Sequence, residues 1–234
     1  MWLESIGGLT CAAAGFATYG VRGRSSTLFA PSVWRGDRGR KAIALTFDDG
    51  PSESTPALLE ILARHGVRAT FFECGASVRR LPQVARDVAA AGHAIGNHSD
   101  THRGLYFMPA REIEHELAKA QQAILDASGV TPALFRPPYG VRWFGLRAAQ
   151  RNLGLLGVMW TAIGRDWKWP GERVAARLSA AASNGAIFCL HDGRNLTPHP
   201  DVRATLEAVR RLIPELRDQG YQFETVNEIL CPKN

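Results

Sequence analysis

The sequence has few cysteines and none of the short cysteine pairs that mark structural metal sites or dithiol redox sites. Its 234 residues contain four cysteines, and no two of them form a C-x-x-C pair. Cys74 and Cys189 fall inside apolar, strand-like runs, where a free thiol behaves as a small hydrophobic side chain. Cys11 and Cys231 lie near opposite ends of the chain, and the sequence leaves a bridge between them open.

The sequence also lacks a dense run of positive charge. Its net charge is +6, but the arginines are scattered through helix-like segments, so we expect solvated helix faces and no nucleic-acid partner. No glycine-rich loop followed by lysine is present, which argues against a phosphoryl-transfer enzyme. The chain contains no internal repeat, and its length fits one domain.

No hydrophobic run reaches the usual length of a membrane span. The most apolar segment, residues 6–21, is short for a span, and Glu4 rather than a basic residue precedes it. Two alternatives stay open. If residues 6–21 are an export or anchoring segment, they allow membrane association and favour the cell envelope over the cytoplasm. If they form a helix or a strand, they belong to the fold. Residues 22–40, rich in Arg, Ser, Gly and Pro, are expected to link residues 1–21 to one domain at 41–234.

What the sequence does contain is a regular alternation of strand-like and helix-like segments. The strand-like runs lie near residues 41–47, 69–72, 94–97, 134–135, 157–160, 186–190 and 222–225. The helix-like segments run from Thr55 to Gly66 and near residues 77–91, 109–128, 144–152, 172–183 and 201–218. Pro214 is expected to kink or shorten the last helix. This alternation predicts an α/β fold.

Two adjacent carboxylates, Asp48 and Asp49, stand where the first strand-like run ends in T-F-D-D-G-P-S. Side chains of neighbouring strand residues point to opposite faces, so both can serve one site only if the backbone bends, which Gly50-Pro51 is expected to allow. His98 and His102 follow another apolar run at i and i+4, a spacing that puts two imidazoles on one face of a helical turn.

One Asp and these two histidines would give three protein ligands, the number found in catalytic metal sites that keep a position open for water. The same ligand types also serve non-haem iron oxygenases. Ligand type alone therefore leaves hydrolysis and oxidation open.

Polar residues also follow three further strand-like runs. Arg136-Pro-Pro-Tyr139-Gly140, Asp166-Trp167 and Leu190-His191-Asp192 each come directly after apolar residues. Five such segments in chain order predict a barrel whose active site is built from the C-terminal ends of its strands.

In chain order the five segments read T-F-D-D-G, H-S-x-x-H, R-P-P-Y-G, D-W and L-H-D, and they lie within residues 41–230. The sequence thereby resembles the polysaccharide deacetylases of carbohydrate esterase family four, also called the NodB homology domain. The resemblance implies a distorted, incomplete (β/α)7 barrel, which leaves a groove open to a chain-like substrate. It also implies that residues 41–234 form the catalytic domain.

The resemblance further implies roles for individual residues. Asp49, His98 and His102 would hold a divalent metal, most often zinc in such enzymes, with Co²⁺, Ni²⁺ and Mn²⁺ as alternatives. Asp48 would be the general base, and Arg136 would pair with it and keep it ionised.

The remaining motifs would complete the reaction site. The backbone N–H of Tyr139 would help to stabilise the oxyanion. His191 would protonate the departing amine, with Asp166 favouring its charged form. Leu190 and Trp167 would line the slot for the acetyl methyl group. Trp167 is also a candidate for a sugar-stacking rim, together with two further residues that could equally belong to the core: Trp143 and Trp169.

The function implied by this resemblance is metal-dependent removal of N-acetyl groups from an N-acetylglucosamine-containing polysaccharide, such as chitin oligomers or peptidoglycan. An O-acetyl xylan esterase and a deacylase of a small or lipid-linked sugar are alternatives, because the same chemistry cleaves esters and other amides. A catalytically silent carbohydrate-binding barrel is an alternative of another class. Asp48, Arg136 and His191 argue against it, since binding alone requires neither a base nor an acid.

Overall fold

The computed structural model describes residues 15–231, and its centre is a curled parallel sheet. The strands are β1 (Ser32–Val33), β2 (Ala42–Gly50), β3 (Thr70–Glu73), β4 (Ala94–Asn97), β5 (Leu134–Phe135), β6 (Leu156–Val158), β7 (Ala162–Ile163), β8 (Ala186–His191) and β9 (Gln222–Phe223). Their hydrogen-bonded order is β1-β6-β5-β4-β3-β2-β8-β7, and β9 pairs with the beginning of β2.

The sheet forms an incomplete barrel, as predicted. β6 and β7 follow each other in the chain, yet they lie near opposite ends of the strand order, so the sheet curls until residues 159–161 join its two sides. Within residues 15–231 no ladder joins β1 to β7, and the seam is crossed by isolated contacts. The Thr161 hydroxyl donates to the Trp34 carbonyl at 3.0 Å, and Arg35 forms a single antiparallel bridge with Ala186.

All seven predicted strands are present, and two short strands join them. β1 lies inside residues 22–40, which were expected to be a linker, so that expectation is wrong for Ser32–Val33. The reason is that β6 would otherwise be an edge strand, and β1 supplies hydrogen bonds to it through the pairs Ser32–Gly157 and Val33–Val158.

Helices cover the outside of the sheet. They are α1 (residues 15–22), α2 (Thr55–Arg64), α3 (Gly75–Arg80), α4 (Pro82–Ala90), α5 (Ala110–Ser128), α6 (Leu146–Leu153), α7 (Gly171–Ala180), α8 (Arg203–Asp218) and α9 (Val226–Leu230). None of the helices in the described part of the chain is long and apolar enough to cross a membrane. Residues 1–14 lie outside that part, so the role of the segment 6–21 in export or anchoring stays a prediction.

Two helix predictions need correction. The single helix expected over residues 77–91 is two helices, because Pro82 disfavours helical angles at the residue before it, and Leu81 has φ −128° and ψ 56°. The last long helix was expected to be kinked or shortened by Pro214, and the expected shortening is wrong. Instead, α8 continues through that residue to Asp218.

The core lies between the sheet and its helices. All nine residues of β2 are buried, which is typical of a central parallel strand covered on both faces. The largest apolar cluster joins β2, β3 and β8 to α2, α4, α7 and α8, while a second one lies under α5 and α6. Thus β2 is fixed on all sides, and its C-terminal end is a rigid platform for polar side chains.

The packing of α5 gives a test of this core. Ile124 is fully buried, so Ile124→Ala should lower the free energy of unfolding by about 2–5 kcal/mol through lost burial and a residual cavity. Leu125→Ala is the matched control, and it should cost clearly less because 37% of the Leu125 surface is already exposed. Urea denaturation would measure both. Equal losses for the two variants would contradict the described packing.

Candidate active site

The end of β2 turns two neighbouring carboxylates toward one site. The register of β2 against β3 shifts between Asp48 and Gly50, and Asp49 between them has a left-handed φ of 71°. The bend was expected at Gly50-Pro51, but it lies one residue earlier, because this bulge reverses the alternation at Asp49. Gly50 remains necessary, since a Cβ atom there would collide with the carboxylate of Asp192.

His98 and His102 lie on a loop after β4 and not on a helical turn, which corrects the sequence interpretation. The Asn97 side chain accepts from the N–H of Ser99 at 2.8 Å, and the Ser99 hydroxyl accepts from the N–H of His102 at 3.1 Å. These local bonds favour a tight turn over a helix, and Ser99 and His102 have φ values of 65° and 56°. The two imidazole rings nevertheless meet, with centroids 5.0 Å apart.

The two histidines and Asp49 converge on one point. Asp49 Oδ1 lies 2.9 Å from His102 Nε2 and 3.3 Å from His98 Nε2. His98 Nδ1 lies 2.7 Å from the Arg136 carbonyl, which can only accept, so Nδ1 carries the proton and Nε2 keeps its lone pair. The other Asp49 oxygen, Oδ2, accepts from the backbone N–H of Asn195 at 3.0 Å.

These residues fit a divalent metal. Asp49 Oδ1 is buried and has no hydrogen-bond partner within the described residues, although it faces two imidazole nitrogens. An unpaired buried carboxylate oxygen is costly, and a cation shared by the three side chains would satisfy it. Burial raises the pKa of Asp49, but the neighbouring imidazoles of His102 and His98 outweigh this effect and hold the pKa well below its usual range. The carboxylate therefore stays charged and able to bind a cation.

A second group of metal-binding residue types, Asp48, Cys189 and His191, lies beside the first. It is a poor ligand set, because a cysteine binds metal as the thiolate. Burial, followed by the nearby Asp48, raises the pKa of Cys189 well above its usual range. The Cys189 thiol instead donates to Asp48 Oδ2 across 3.4 Å.

Asp48 is held by a fully buried arginine. Arg136 Nη1 donates to Asp48 Oδ1 at 2.7 Å and to the Thr46 hydroxyl at 2.6 Å. Its Nε and Nη2 donate to two backbone carbonyls at the end of β6, each at 3.1 Å, and its guanidinium lies 4.1 Å over the Phe72 ring. A buried charge is tolerated when it is paired and hydrogen-bonded, and this guanidinium is paired with Asp48 and donates a hydrogen bond from each of its three nitrogens. Asp48 consequently has one orientation.

His191, at the end of β8, lies beside Asp48 on the neighbouring strand. Its Nδ1 lies 2.9 Å from Asp166 Oδ1, and its backbone N–H donates to Asp166 Oδ2 at 2.7 Å. The Thr205 hydroxyl also donates to Asp166 Oδ2, at 2.6 Å. Burial lowers the pKa of His191, but the charge and hydrogen bond of Asp166 outweigh this and raise it to about 9. The ring is therefore an imidazolium at neutral pH.

Asp48 and His191 are register partners on neighbouring strands, and they face a common cavity of about 400 Å³. The cavity is lined by Asp48, Asp49, His98, His102, Pro137, Tyr139, Gly140, Trp160, Ile163, Trp167, Cys189, His191, Gly193, Arg194 and Asn195. The Trp167 ring meets His191 edge to face, with centroids 5.0 Å apart. The metal-binding set, Asp48 and His191 are thus within one pocket.

Leu190 is the predicted site residue that the structure does not place on the cavity. Strand alternation turns Cys189 and His191 toward the cavity, so Leu190 between them points to the other face and joins the main core cluster. The apolar cavity wall is formed instead by Trp160, Ile163 and Trp167.

Tyr139 lies in a short 3₁₀ turn after β5 and has a left-handed φ of 56°. Its ring packs against His102 with centroids 4.7 Å apart, and its hydroxyl donates to Asn195 Oδ1 at 3.1 Å. Asn195 was not singled out from the sequence, although it connects Tyr139 to Asp49. Its position four residues after His191, in the loop that leaves β8, is the signal that could have identified it.

The tryptophans considered for a sugar-stacking rim do not lie together. Trp167 is at the cavity, and it is 47% exposed. Trp169 is covered by three arginine side chains, whose guanidinium carbons lie 4.3–5.4 Å from its ring centroid. Trp143 belongs to a separate aromatic cluster at the surface.

Known proteins share both this sequence pattern and this fold. Residues 35–158 match the family model described as polysaccharide deacetylase. The peptidoglycan-N-acetylglucosamine deacetylase PgdA of Listeria monocytogenes is 36% identical over 195 residues, which cover 82% of this chain and 40% of the relative. A chitooligosaccharide deacetylase of Bradyrhizobium sp. is 35% identical over 200 residues, covering 82% of this chain and 91% of the relative. This chain thus spans less than half the length of PgdA.

A solved structure agrees. The Bc1960 peptidoglycan N-acetylglucosamine deacetylase superposes with a TM-score of 0.79 at 28% identity, over 84% of this chain and 91% of that one. The family model matches more than half of the chain, and the identity to PgdA extends over four fifths of it. The chain therefore belongs to the polysaccharide deacetylase family.

Proposed function

We propose that the protein is a metal-dependent hydrolase that removes N-acetyl groups from an amino-sugar polymer or its oligomers. The observation that carries the proposal is the composition of the cavity. A three-ligand set lies in the same cavity as a carboxylate held by Arg136 and an imidazolium held by Asp166. The names of the relatives support peptidoglycan glycan or chitooligosaccharides as substrates. A binding protein would need neither of the two held groups.

Asp49, His98 and His102 would hold the metal, and zinc suits two imidazoles and one carboxylate, with Co²⁺, Ni²⁺ and Mn²⁺ as alternatives. When bound, a divalent cation lowers the pKa of a coordinated water and polarises a carbonyl. Asp48 would accept the proton of the attacking water. The hydrogen bond from Arg136 fixes the direction of the Asp48 carboxylate, as a general base requires.

The developing oxyanion needs a donor, and the backbone N–H of Tyr139 would supply it. Pro137 and Pro138 precede this residue and have no N–H, and their restricted angles hold the turn that presents Tyr139. The contact of the Tyr139 ring with His102 and the bond of its hydroxyl to Asn195 keep the turn against the metal-binding loop.

His191 would protonate the departing amine, because an amide anion is a very poor leaving group. Asp166 engages Nδ1, which leaves the Nε2–H of the imidazolium free to donate. Trp160, Ile163 and Trp167 would form the apolar slot for the acetyl methyl group, and Leu190 packs behind the strand without entering it. The general test is acetate release from chitooligosaccharides, peptidoglycan and acetylated xylan, with and without added divalent metals. Release from xylan alone would favour the esterase alternative.

The metal site predicts a loss of bound cation that can be measured without turnover. The double variant His98→Ala/His102→Ala should lose stoichiometric zinc after dialysis and lose activity, because one carboxylate remains of the three ligands. His115→Ala, at an exposed position of α5, is the control and should keep its metal. Elemental analysis measures the metal, and circular dichroism checks the fold. Full occupancy in the double variant would refute the assignment.

The proposed role of Asp48 as the base predicts that its replacement lowers the rate without removing the metal. Asp48→Asn should lower kcat on the order of 10²-fold or more, since an amide cannot accept the proton, while zinc content stays at the wild-type level. Asp87→Asn, on the exposed face of α4, should leave both quantities unchanged. A near-normal kcat in Asp48→Asn would mean that this carboxylate is structural.

The proposed role of His191 as the acid predicts how activity depends on pH and on the leaving group of the substrate. Activity requires protonated His191, so it should fall as the pH rises through about 9, and Asp166→Asn should move this alkaline limb to lower pH by removing the charge that raises the pKa. His191→Ala should slow hydrolysis of an N-acetyl amide far more than that of an activated aryl acetate, whose leaving group needs no proton. Equal losses on both substrates would point to a packing role for His191.

A further inference from the structure

Five aromatic rings form a continuous surface cluster that the proposed reaction does not use. The aromatic ridge, as we name it, consists of Phe29, Tyr106, Phe107, Trp143 and Phe144. Trp143 is its centre, with ring centroids 5.0 Å from Phe107, 5.4 Å from Phe144 and 5.8 Å from Phe29. Tyr106 extends it through Phe107 at 5.9 Å. Phe107 is 81% exposed and Phe144 is 66% exposed, and exposed apolar patches of this kind mark interaction sites.

Most of the ridge residues lie on the same two loops that carry residues of the candidate active site. Tyr106 follows the metal-binding candidate His102 by four residues, and Trp143 follows the cavity residue Gly140 by three. Three residues span at most about 11 Å, so the ridge begins close to the cavity wall. The loop after β4 and the loop after β5 meet where the rings of Phe107 and Trp143 touch. Any molecule on the ridge therefore lies beside whatever occupies the cavity.

The centre of the ridge is packed against the protein interior. Trp143 packs against the buried cluster under α5 and α6, so the centre of the ridge is anchored in the protein. Phe107 has a φ of 62°, which is unfavourable for a bulky side chain, and yet this ring is in solvent. Residues in such sparsely populated backbone conformations cluster at active sites and ligand-binding segments.

We propose that the aromatic ridge binds sugar rings of the same glycan chain that flank the sugar being deacetylated. This inference rests on the proposed function and adds to it a preference for long chains. A pyranose ring presents an apolar C–H face that packs against the electron-rich face or edge of an aromatic ring, and the Tyr106 hydroxyl can donate to sugar oxygens. The remaining candidate occupant is a membrane surface. A bilayer on the ridge would lie against the same loops that a polymer must reach, which favours the glycan.

The experiment measures KM and kcat against chain length for the metal-loaded enzyme. The double variant Phe107→Ser/Phe144→Ser removes the two most exposed rings and leaves the anchored Trp143 in place. For long chitooligosaccharides, KM should rise on the order of tenfold while kcat stays the same, since ring stacking contributes to binding and not to the chemical step. For the N-acetylglucosamine dimer and for an aryl acetate, both constants should stay at the wild-type level.

Phe16→Ser is the matched control, because Phe16 is 64% exposed on α1 and lies outside the ridge. It should change neither constant for any chain length. An unchanged KM for long chains in the double variant would overturn the ridge proposal while deacetylation of the dimer still supports the proposed function. The proposal would also be overturned if the double variant lost binding to anionic phospholipid vesicles while its KM for long chains stayed unchanged. That result would identify the ridge as a membrane-docking surface. A wild-type enzyme inactive on every glycan would instead contradict the proposed function.

Discussion

The buried ion pair between Arg136 and Asp48 is the interaction on which the site depends. A guanidinium with no exposure must have every N–H satisfied, and this one draws its acceptors from β2 and from the end of β6, while its plane rests on Phe72 of β3. Arg136 itself follows β5. One side chain thus binds four strand ends together and, through the same hydrogen bonds, aims the candidate base. Its backbone carbonyl also fixes the tautomer of His98, so base and metal-binding candidates share one support.

Several residues of the site are held in backbone angles that are unfavourable for residues other than glycine. Asp49, His102, Tyr139 and Asn195 all have left-handed φ values between 44° and 71°, outside glycine. Such conformations are unfavourable and persist where surrounding contacts determine them. Here the contacts form a closed chain. Asn195 bonds Asp49 and Tyr139, the Tyr139 ring packs on His102, and His102 faces Asp49. Three loops from three different strands therefore restrain one another around a single point.

The sequence allowed the barrel and the five motifs to be predicted, because strand periodicity and motif order are local signals. The pairing of Asp48 with Arg136 was implied by the family resemblance that these motifs carry. What it missed depends on tertiary contacts. The strand Ser32–Val33 has too little pattern to be recognised and forms because β6 needs a partner. Leu190 belongs to a matched motif, but its direction follows from strand alternation around Cys189 and His191. Asn195 has no pattern of its own, since its bonds reach loops far away in the sequence.

The division of acid and base roles follows from what each group faces. Asp48 and His191 are register partners, yet one meets a buried guanidinium and the other a buried carboxylate. Arg136 directs the Asp48 carboxylate through its hydrogen bond, whereas Asp166 favours the positive form of His191 and raises its pKa to about 9. His191 therefore carries a proton to donate at neutral pH, and the Asp48 carboxylate is oriented beside it, which is the division of roles that the proposed amide hydrolysis requires. In the proposed mechanism the roles of base and acid are thus separated by Arg136 and Asp166, two partners that are not among the residues lining the cavity.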